Sequence, residues 1–419
     1  MRASLIVRLL GLFLLLFSLT LIPPILVSLL YSDGEFVDFI VSAGLIGLCG
    51  ALLWFPVRTQ RGNLRPREAF VVVSLFWVVL GLLASMPLIV GAHLQVTDAA
   101  FEAVSGFTTT GATVMTGLDD LPPSVQIYRQ QLQWYGGLGV IVLAVAILPM
   151  LGVGGMQLYR AETPGPMKDE KITPRIAQTA RALWGLYVGL TLVCAVAYYL
   201  AGMSAFDAIA HSLTTISTGG FSTHDASMAY FDSPLIETIA IVFMVLGSIS
   251  FSVHFMVLTG RSPRRYLHDT QVVAFLGTVV ALILVITATL SLTGVAGGLH
   301  AFRLAAFQVV SVISSTGYGT VDFSLWPLFL PTLLIFASFV GGCAGSTAGG
   351  MKVIRMVILA KEGHRELLRL IHPQIVRPIM LGRTPLTERV VDAVWGFFSL
   401  YMAVFALLLL AVMATGVDQ

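Results

Sequence analysis

The chain has 419 residues, of which 57% are hydrophobic and only 11% are charged. Because soluble domains carry about 25% charged residues, this composition excludes an ordinary soluble protein and indicates a membrane protein. The net charge of +2 lacks the strongly basic balance of proteins that bind nucleic acid, so we expect no nucleic acid partner.

Nine apolar windows follow one another along the chain. Each approaches or exceeds the roughly 20 residues needed to cross a ~30 Å hydrocarbon core. They cover residues 9–32, 39–57, 69–97, 130–159, 182–206, 238–260, 270–302, 323–351 and 393–417. The first window follows Arg2 and Arg8 as in a signal peptide, but it is long for one and lacks an obvious cleavage site, so we interpret it as a retained helix. The sequence therefore predicts an all-α polytopic protein of the lipid bilayer.

Basic residues are distributed unevenly between the two sides of these windows. All but two of the 24 Lys and Arg residues, Arg129 and Arg303, lie on the side that carries the N-terminus. The loops on the other side are acidic. Because basic loops stay in the cytoplasm, we expect a cytoplasmic N-terminus and, with nine spans, an outer C-terminus.

Three of the outer loops carry the same pattern. They read AFEAVSGFTTTGAT from Ala100, AIAHSLTTISTGGFST from Ala208 and AFQVVSVISSTGYGT from Ala306. Aligned on Phe101, Ile209 and Phe307, each reaches a Thr-Gly pair nine and ten residues later. The pairs are Thr110 with Gly111, Thr218 with Gly219, and Thr316 with Gly317. The spacing predicts repeated units of a helix, a short re-entrant segment and a second helix.

These residue types suit the binding of a dehydrated cation. Glycine permits torsions that direct successive backbone carbonyls at one axis, and threonine adds a hydroxyl oxygen. Rings of such oxygens replace the hydration shell of a monovalent ion. The acidic outer loops raise the local cation concentration. We therefore expect the Thr-Gly pairs to form an ion-selective filter.

Residues 341–350 read GGCAGSTAGG and interrupt the eighth window. The apolar run before them, 327–340, makes a helix of about 21 Å, too short to cross ~30 Å. Each glycine disfavours helix by roughly 1 kcal/mol relative to alanine, which predicts an intramembrane loop. We interpret this loop as a gate across the pore, formed by Gly341, Gly342, Gly345, Ser346, Thr347, Gly349 and Gly350. Lys352 and Arg355 are expected either to snorkel to the cytoplasm or to form an electrostatic barrier to cations.

The motifs TTTGAT, STGGFST, STGYGT and GGCAGSTAGGMKVIR together resemble those of the Trk/Ktr bacterial potassium-uptake family. The resemblance implies helix–P-loop–helix repeats, similar to those of potassium channels, around one pore, with two extra N-terminal helices. It implies K⁺ as the transported ion, no organic cofactor, and a location in the bacterial inner membrane. It also implies a homodimer gated by a cytosolic, nucleotide-binding, TrkA-like ring protein. A fourth filter loop would follow the helix at 393–417, beyond the last residue of this chain.

The expected organisation has six parts. They are two N-terminal helices at 1–60, the first repeat at 66–159, the second at 175–260, the third with a broken second helix at 268–361, a basic cytoplasmic segment at 362–390, and the first helix of an incomplete fourth repeat at 391–419. We also expect the basic stretch 361–389, which includes Arg365 and Arg369, to help dock the ring protein; the alternative is that its charge only reflects the excess of basic residues in cytoplasmic loops.

Two other functions remain open at this point. An ion-coupled symporter driven by H⁺ or Na⁺ also uses broken helices, but coupling by protons normally needs ionisable groups deep in the spans. An intramembrane enzyme would need a nucleophile and a base, for which Ser346 and His254 are the candidates, although no catalytic motif surrounds them. We interpret His254 instead as a hydrogen-bonded interior residue, and the small residues of WYGGLGV at 134–140 as a helix start that allows close packing.

Overall fold

The computed structural model describes residues 3–60, 66–146, 172–327, 329–375, 377–382 and 384–416. Within this part of the chain, six segments are long and apolar enough to cross a membrane, and a seventh qualifies if a bent helix pair is counted as one span. The predicted all-α polytopic fold is confirmed. Of the nine predicted windows, one extends into residues outside the described part, and 238–260 is unexpectedly bent. The window 323–351 holds the short helix Leu330–Val340 before the glycine stretch, as its expected interruption requires.

The two N-terminal spans pack closely against each other. The first consists of α1 (Ala3–Leu19) and α2 (Ile22–Tyr31), and the second is α3 (Phe36–Trp54). A Cβ atom on Gly11 would lie 2.8 Å from the carbonyl oxygen of Gly50, so these glycines allow the two backbones to touch. Leu14, Phe39 and other buried side chains of this pair share an apolar core with the first repeat.

The first repeat begins with a span interrupted by a π-helical turn. Its elements are α4 (Pro66–Leu75), the π-turn Phe76–Leu80, α5 (Gly81–Leu83), α6 (Met86–Val90), the short helix α7 (Val96–Phe107) and α8 (Pro123–Ala146). The stretch 134–140 lies inside α8 and does not start it, which corrects the expected position. Close packing is confirmed, because a Cβ on Gly136 would overlap the carbonyl oxygen of Phe107. The expected end of this repeat, residue 159, lies outside the described residues.

The second repeat contains a break that the sequence did not indicate. Its elements are α9 (Ile172–Leu200), the short helix α10 (Ala205–Ile216), α11 (Pro234–Ser248) and α12 (Phe251–Gly260). The axes of α11 and α12 differ in direction by 96°. The apolar window 238–260 is therefore two helices meeting at a corner.

The third repeat also has an interrupted second helix. It comprises α13 (Arg264–His268), α14 (Thr270–Leu292), the short helix α15 (Gly298–Ile313), α16 (Leu330–Val340) and α17 (Val353–Ile371). The glycine stretch lies between α16 and α17, outside any helix. Helix α17 continues across the boundary expected at residue 361. A two-residue hairpin, β1 (Met380–Leu381) with β2 (Thr384–Pro385), then leads into the long span α18 (Glu388–Ala414).

Candidate ion-binding site

Each of the three short helices ends in a loop of the same conformation. The second residue after the helix is left-handed in every case, with φ of 56° at Thr109, 52° at Thr218 and 54° at Ser315. Two positions further on, a glycine is left-handed, with φ of 80°, 84° and 82° at Gly111, Gly220 and Gly317. Left-handed residues at alternate positions redirect the backbone without forming a helix, which agrees with the non-helical segments expected after short helices.

The hydrogen bonds fix which residues are equivalent. The amides of Thr110, Gly219 and Thr316 each donate to the carbonyl oxygen five residues earlier, at 2.8, 2.8 and 2.9 Å. The spacing-based alignment is therefore one residue out of register in the second loop. There the counterpart of Thr110-Gly111 is Gly219-Gly220, whereas the expected Thr218 occupies the place of Thr109. The Thr-Gly pair gave the wrong register because the second loop has two adjacent glycines, and only the second one is left-handed.

The three loops meet through their backbones. A Cβ on Gly111 would overlap the carbonyl oxygen of Gly219 and lie 3.4 Å from that of Thr316. A Cβ on Gly220 would overlap the carbonyl oxygen of Thr316. Loops that are about 100 residues apart in sequence thus bring peptide oxygens together at one place. The groups that approach one another at Gly111, Gly219, Gly220 and Thr316 are uncharged peptide groups.

An equivalent residue in each short helix forms hydrogen bonds with the segment that follows its own loop. Glu102 accepts hydrogen bonds from the hydroxyl of Thr113 at 3.0 Å and from the amide of Val114 at 3.1 Å. The equivalent positions are occupied by His211, whose Nε2 is 3.0 Å from Ser222 Oγ, and by Gln308, whose Nε2 donates to the carbonyl of Val321 at 3.2 Å. All three side chains are buried. A carboxylate, an imidazole and an amide therefore support the same turn.

Helix α8 adds two side chains that brace the first two loops. Arg129 Nη2 lies 2.6 Å from Glu102 Oε1, with both side chains fully buried, and the guanidinium carbon is 4.4 Å from the ring centre of Phe221. One turn later, Gln133 donates to the carbonyl of Gly219 at 2.7 Å and accepts from the amide of Phe221 at 3.0 Å. These residues were missed in the sequence, although Arg129 gave a signal as one of two basic residues on the acidic side.

The glycine-rich loop lies against the corner between α11 and α12. The amide of Cys343 donates to the carbonyl of Ser248 at 2.8 Å, and the amide of Phe251 donates to the carbonyl of Gly345 at 3.0 Å. The hydroxyl of Thr347 lies 2.9 Å from two carbonyl oxygens, those of Gly247 and Ile216. The loop therefore satisfies backbone groups that the helix break exposes.

The glycine-rich loop also contacts two of the three convergent loops near the ends of their short helices. Ile216 is the last residue of α10, and the hydroxyl of Thr347 donates to its carbonyl. The amide of Gly349 donates to Ser315 Oγ, in the third convergent loop, at 2.6 Å. Left-handed torsions at Gly341, Gly345 and Gly350 keep the loop compact, and a Cβ on Gly341 would overlap the carbonyl of Gly349.

The two basic residues after this loop face different surroundings. The ammonium group of Lys352 turns back and donates to the carbonyls of Ser346 and Ala348, so its side chain does not extend away from the loop. Arg355 bonds the carbonyl of Met351 at 2.8 Å, and its guanidinium carbon lies 4.2 Å from the ring centre of Phe397. Of the two, Lys352 contacts the glycine-rich loop through its charged group.

The proposed nucleophile and base of an enzyme are not partners. Ser346 Oγ donates to the carbonyl of Cys343 at 2.6 Å within its own loop. The two ring nitrogens of His254 lie 2.7 Å from the hydroxyl of Tyr266 and 2.8 Å from the carbonyl of Leu246. His254 is thus the hydrogen-bonded interior residue that the sequence suggested.

Carboxylates lie beside the outer parts of the first two loops. His224 pairs with Asp119, and hydrogen bonding to this imidazole lowers the pKa of Asp119 below its usual value. Asp225 accepts a hydrogen bond from the amide of Leu118 at 3.2 Å. These contacts join the outer segments of the first and second repeats. They also keep Asp119 ionised at neutral pH.

Comparison with known proteins identifies the family. The TrkH family model, described as a cation transport protein, matches residues 38–416. The chain belongs to this family. It is therefore a multi-pass membrane transporter rather than an enzyme.

Individual members of the family are similar over almost the whole chain. The Trk system potassium uptake protein TrkH of Vibrio parahaemolyticus is 52% identical over 419 residues, covering 99% of this chain and 86% of the relative. TrkG of Escherichia coli K12 is 38% identical over 405 residues, covering 96% and 84%. The crystal structure of the potassium transporter TrkH from Vibrio parahaemolyticus superposes with a TM-score of 0.93 and 49% identity, over 100% of this chain and 87% of the other.

Proposed function

We propose that this chain carries out potassium uptake, with the three convergent loops as its selectivity filter. The observation that carries the proposal is the shared torsion pattern of the loops together with the contacts between their backbones. Relatives named as potassium uptake proteins, at 52% identity, support the choice of ion. The filter residues are Thr110, Gly111, Thr218, Gly219, Gly220, Thr316 and Gly317, and K⁺ is the substrate.

The glycine-rich loop acts as the gate in this proposal. Its hydroxyl and amide groups bind the second and third filter units, at Ile216 and Ser315, and thereby hold the loop next to the ion path. The ammonium group of Lys352 adds a positive charge at the same place, which opposes cation passage. Moving α17, which follows the loop directly, would withdraw both obstacles together.

The regulator and the assembly complete the proposal. The N-terminus and the basic loops lie in the cytoplasm of a bacterial cell and the protein sits in the inner membrane. There a cytosolic nucleotide-binding ring protein displaces α17, and two copies of the chain form a homodimer. The basic bias of one side of the molecule and the membership of a named Trk system support this arrangement.

Ion flux measurements in liposomes test the proposal. Purified protein with its ring protein should transport K⁺ or Rb⁺ much faster than Na⁺, and an internal pH indicator should record no accompanying proton movement. Equal K⁺ and Na⁺ fluxes would reject the filter assignment. A proton or Na⁺ flux in fixed ratio to K⁺ would favour the alternative, an ion-coupled symporter.

A further inference from the structure

A basic cavity lies at the far end of α17, away from the filter and the gate. It is an open cavity of about 380 Å³, lined by α17 and by residues 377–380. Its lining includes Lys361, His364, Arg365, Arg377 and Met380. No carboxylate is among the described residues that line it, so the cavity suits an anion.

Hydrogen bonds from two basic side chains, Lys361 and Arg365, hold the walls of this cavity in place. Lys361 Nζ donates to the carbonyl of Met380 at 2.6 Å, which ties α17 to β1 and leaves two ammonium protons for a ligand. The guanidinium group of Arg365 donates hydrogen bonds to the carboxylates of Glu362 at 2.9 Å and Glu388 at 2.6 Å. Arg365 therefore supports the wall, whereas Lys361, His364 and Arg377 expose their side chains.

The position of Glu388 indicates the level of the cavity relative to the membrane. Glu388 is the first residue of α18, a 27-residue helix long and apolar enough to cross a membrane. A charged residue at the start of such a span lies at the membrane–water interface. Because Arg365 contacts Glu388, the adjacent cavity lies at the same level, where lipid headgroups are found.

An apolar strip runs along α17 next to the cavity. Leu367, Leu370 and Ile371 follow the i, i+3, i+4 spacing of one helix face and are 62%, 81% and 70% exposed. An apolar face beside cationic side chains is typical of helices that lie in the interface, with the apolar side chains among the acyl chains. The level of the cavity makes lipid the medium that meets this strip.

We propose that this cavity and strip bind an anionic phospholipid. The phosphodiester contacts Lys361, His364 and Arg377, and its acyl chains cover Leu367, Leu370 and Ile371. The cationic groups complement the charge of a phosphatidylglycerol-type headgroup, and the apolar strip distinguishes a lipid from a soluble anion. This site is separate from potassium binding and does not depend on the filter or the gate being correctly assigned.

The test measures lipid binding to the purified full chain, without any ring protein. The protein is placed in nanodiscs of phosphatidylcholine containing a small fraction of nitroxide-labelled phosphatidylglycerol, and the immobilised spectral component is titrated. Lys361→Gln with Arg377→Gln should weaken retention of the labelled lipid roughly tenfold or more, since each basic residue near a membrane surface contributes about 1 kcal/mol. Leu367→Glu with Leu370→Glu should weaken it as well.

A matched control removes the same charge elsewhere on the basic side. Arg261→Gln with Arg264→Gln changes two exposed arginines outside the cavity and should leave retention unchanged. Equal retention by the cavity variant and the wild type, or an equal loss in the control, would overturn the proposal. Displacement of the labelled lipid by millimolar inorganic phosphate would indicate a soluble-anion site instead. Dissociation of a dimer by the leucine substitutions, with lipid retention intact, would assign the strip to a second copy.

Discussion

Gly220 occupies a place in the second filter loop where the backbone tolerates no side chain. Its φ of 84° costs an L-residue roughly 1–2 kcal/mol, and an added Cβ would overlap the carbonyl oxygen of Thr316. We expect Gly220→Ala to abolish K⁺ selectivity or to reduce uptake more than about tenfold, because a clash of even 2 kcal/mol displaces a ligand oxygen. The measurement is the K⁺ to Na⁺ flux ratio of the purified protein.

Two glycines of the third loop provide comparison variants for Gly220→Ala. Gly317 is also left-handed, at 82°, but a Cβ there would meet no atom within 4 Å, so Gly317→Ala adds strain without a clash and should have the milder effect. Gly319→Ala has neither problem and should behave as wild type. Selectivity unchanged in Gly220→Ala, with all three proteins equally stable, would contradict the register derived for the second loop.

Thr347 connects the glycine-rich loop to two buried carbonyls, and its hydroxyl can be removed without changing side-chain volume. A hydrogen bond contributes about 0.5–1.5 kcal/mol, so Thr347→Val should destabilise the closed loop and raise regulator-independent flux roughly three- to tenfold. Thr347→Ser keeps the hydroxyl and should stay closed. The readout is flux without the ring protein; a valine variant that leaks no more than the serine variant would reject this anchor.

The positions of the three convergent loops could be predicted from the sequence, but the register of the second loop could not. Thr-Gly pairs at regular spacing located all three loops, because glycine and threonine are the residues such backbone requires. The choice between Gly219 and Gly220 depends on where α10 ends, which packing decides. The bracing of these loops by Arg129 and Gln133 depends on contacts between repeats, and no local pattern reports those.

At the scale of elements, the corner between α11 and α12 shows what a hydropathy window cannot detect. Residues 238–260 are apolar throughout, which predicts one straight span. The break is stabilised by hydrogen bonds to Cys343, Gly345 and Thr347, about 100 residues further along the chain. In contrast, the interruption between α16 and α17 was predicted, because its glycines disfavour helix locally.

The contact between α17 and α18 includes one buried arginine beside an apolar cluster that contains Ile358 and Val391. Arg365 joins Glu362 to Glu388, and these hydrogen bonds, the one to Glu388 foremost, raise its pKa. The side chains of Arg365 and Glu362 are 5% and 10% exposed, that of Glu388 is 64% exposed, and that of Arg369 is 39% exposed. Only the pair with Glu362 is buried, and breaking a buried pair costs more than the roughly 0–1 kcal/mol of an exposed one. We therefore expect Arg365→Gln to lower the thermal midpoint clearly more than Arg369→Gln does.

This difference changes how docking of the ring protein is tested. Reversing Arg365 would damage the α17–α18 contact and would weaken binding indirectly. Arg369→Glu alone, on an exposed part of α17, separates docking from folding. Equal thermal midpoints for the two glutamine variants would show that Arg365 does not stabilise the fold. Docking would then be tested by replacing Arg365 and Arg369 with Glu together.

At the scale of the whole molecule, potassium should hold the repeats together. The three convergent loops come from repeats that are separated by about 100 residues, and their backbones approach one another at Gly111, Gly220 and Thr316. An ion bound among their oxygens would add a link that exists only in the folded protein. A ligand at 100 times its dissociation constant stabilises the folded state by about 2.7 kcal/mol.

We accordingly expect the thermal midpoint to rise with K⁺ concentration at constant ionic strength, where the balance is made up with a large organic cation. Na⁺ should produce a smaller rise because its shell is poorly replaced by oxygens spaced for K⁺. Gly220→Ala should lose the K⁺-dependent part of the rise, and Gly319→Ala should retain it. The lipid-site variant at Lys361 and Arg377 should also retain it, because that cavity is separate from the filter. A rise of equal size with K⁺ and Na⁺, or one that persists in Gly220→Ala, would mean that the stabilising ion binds elsewhere than at the convergent loops.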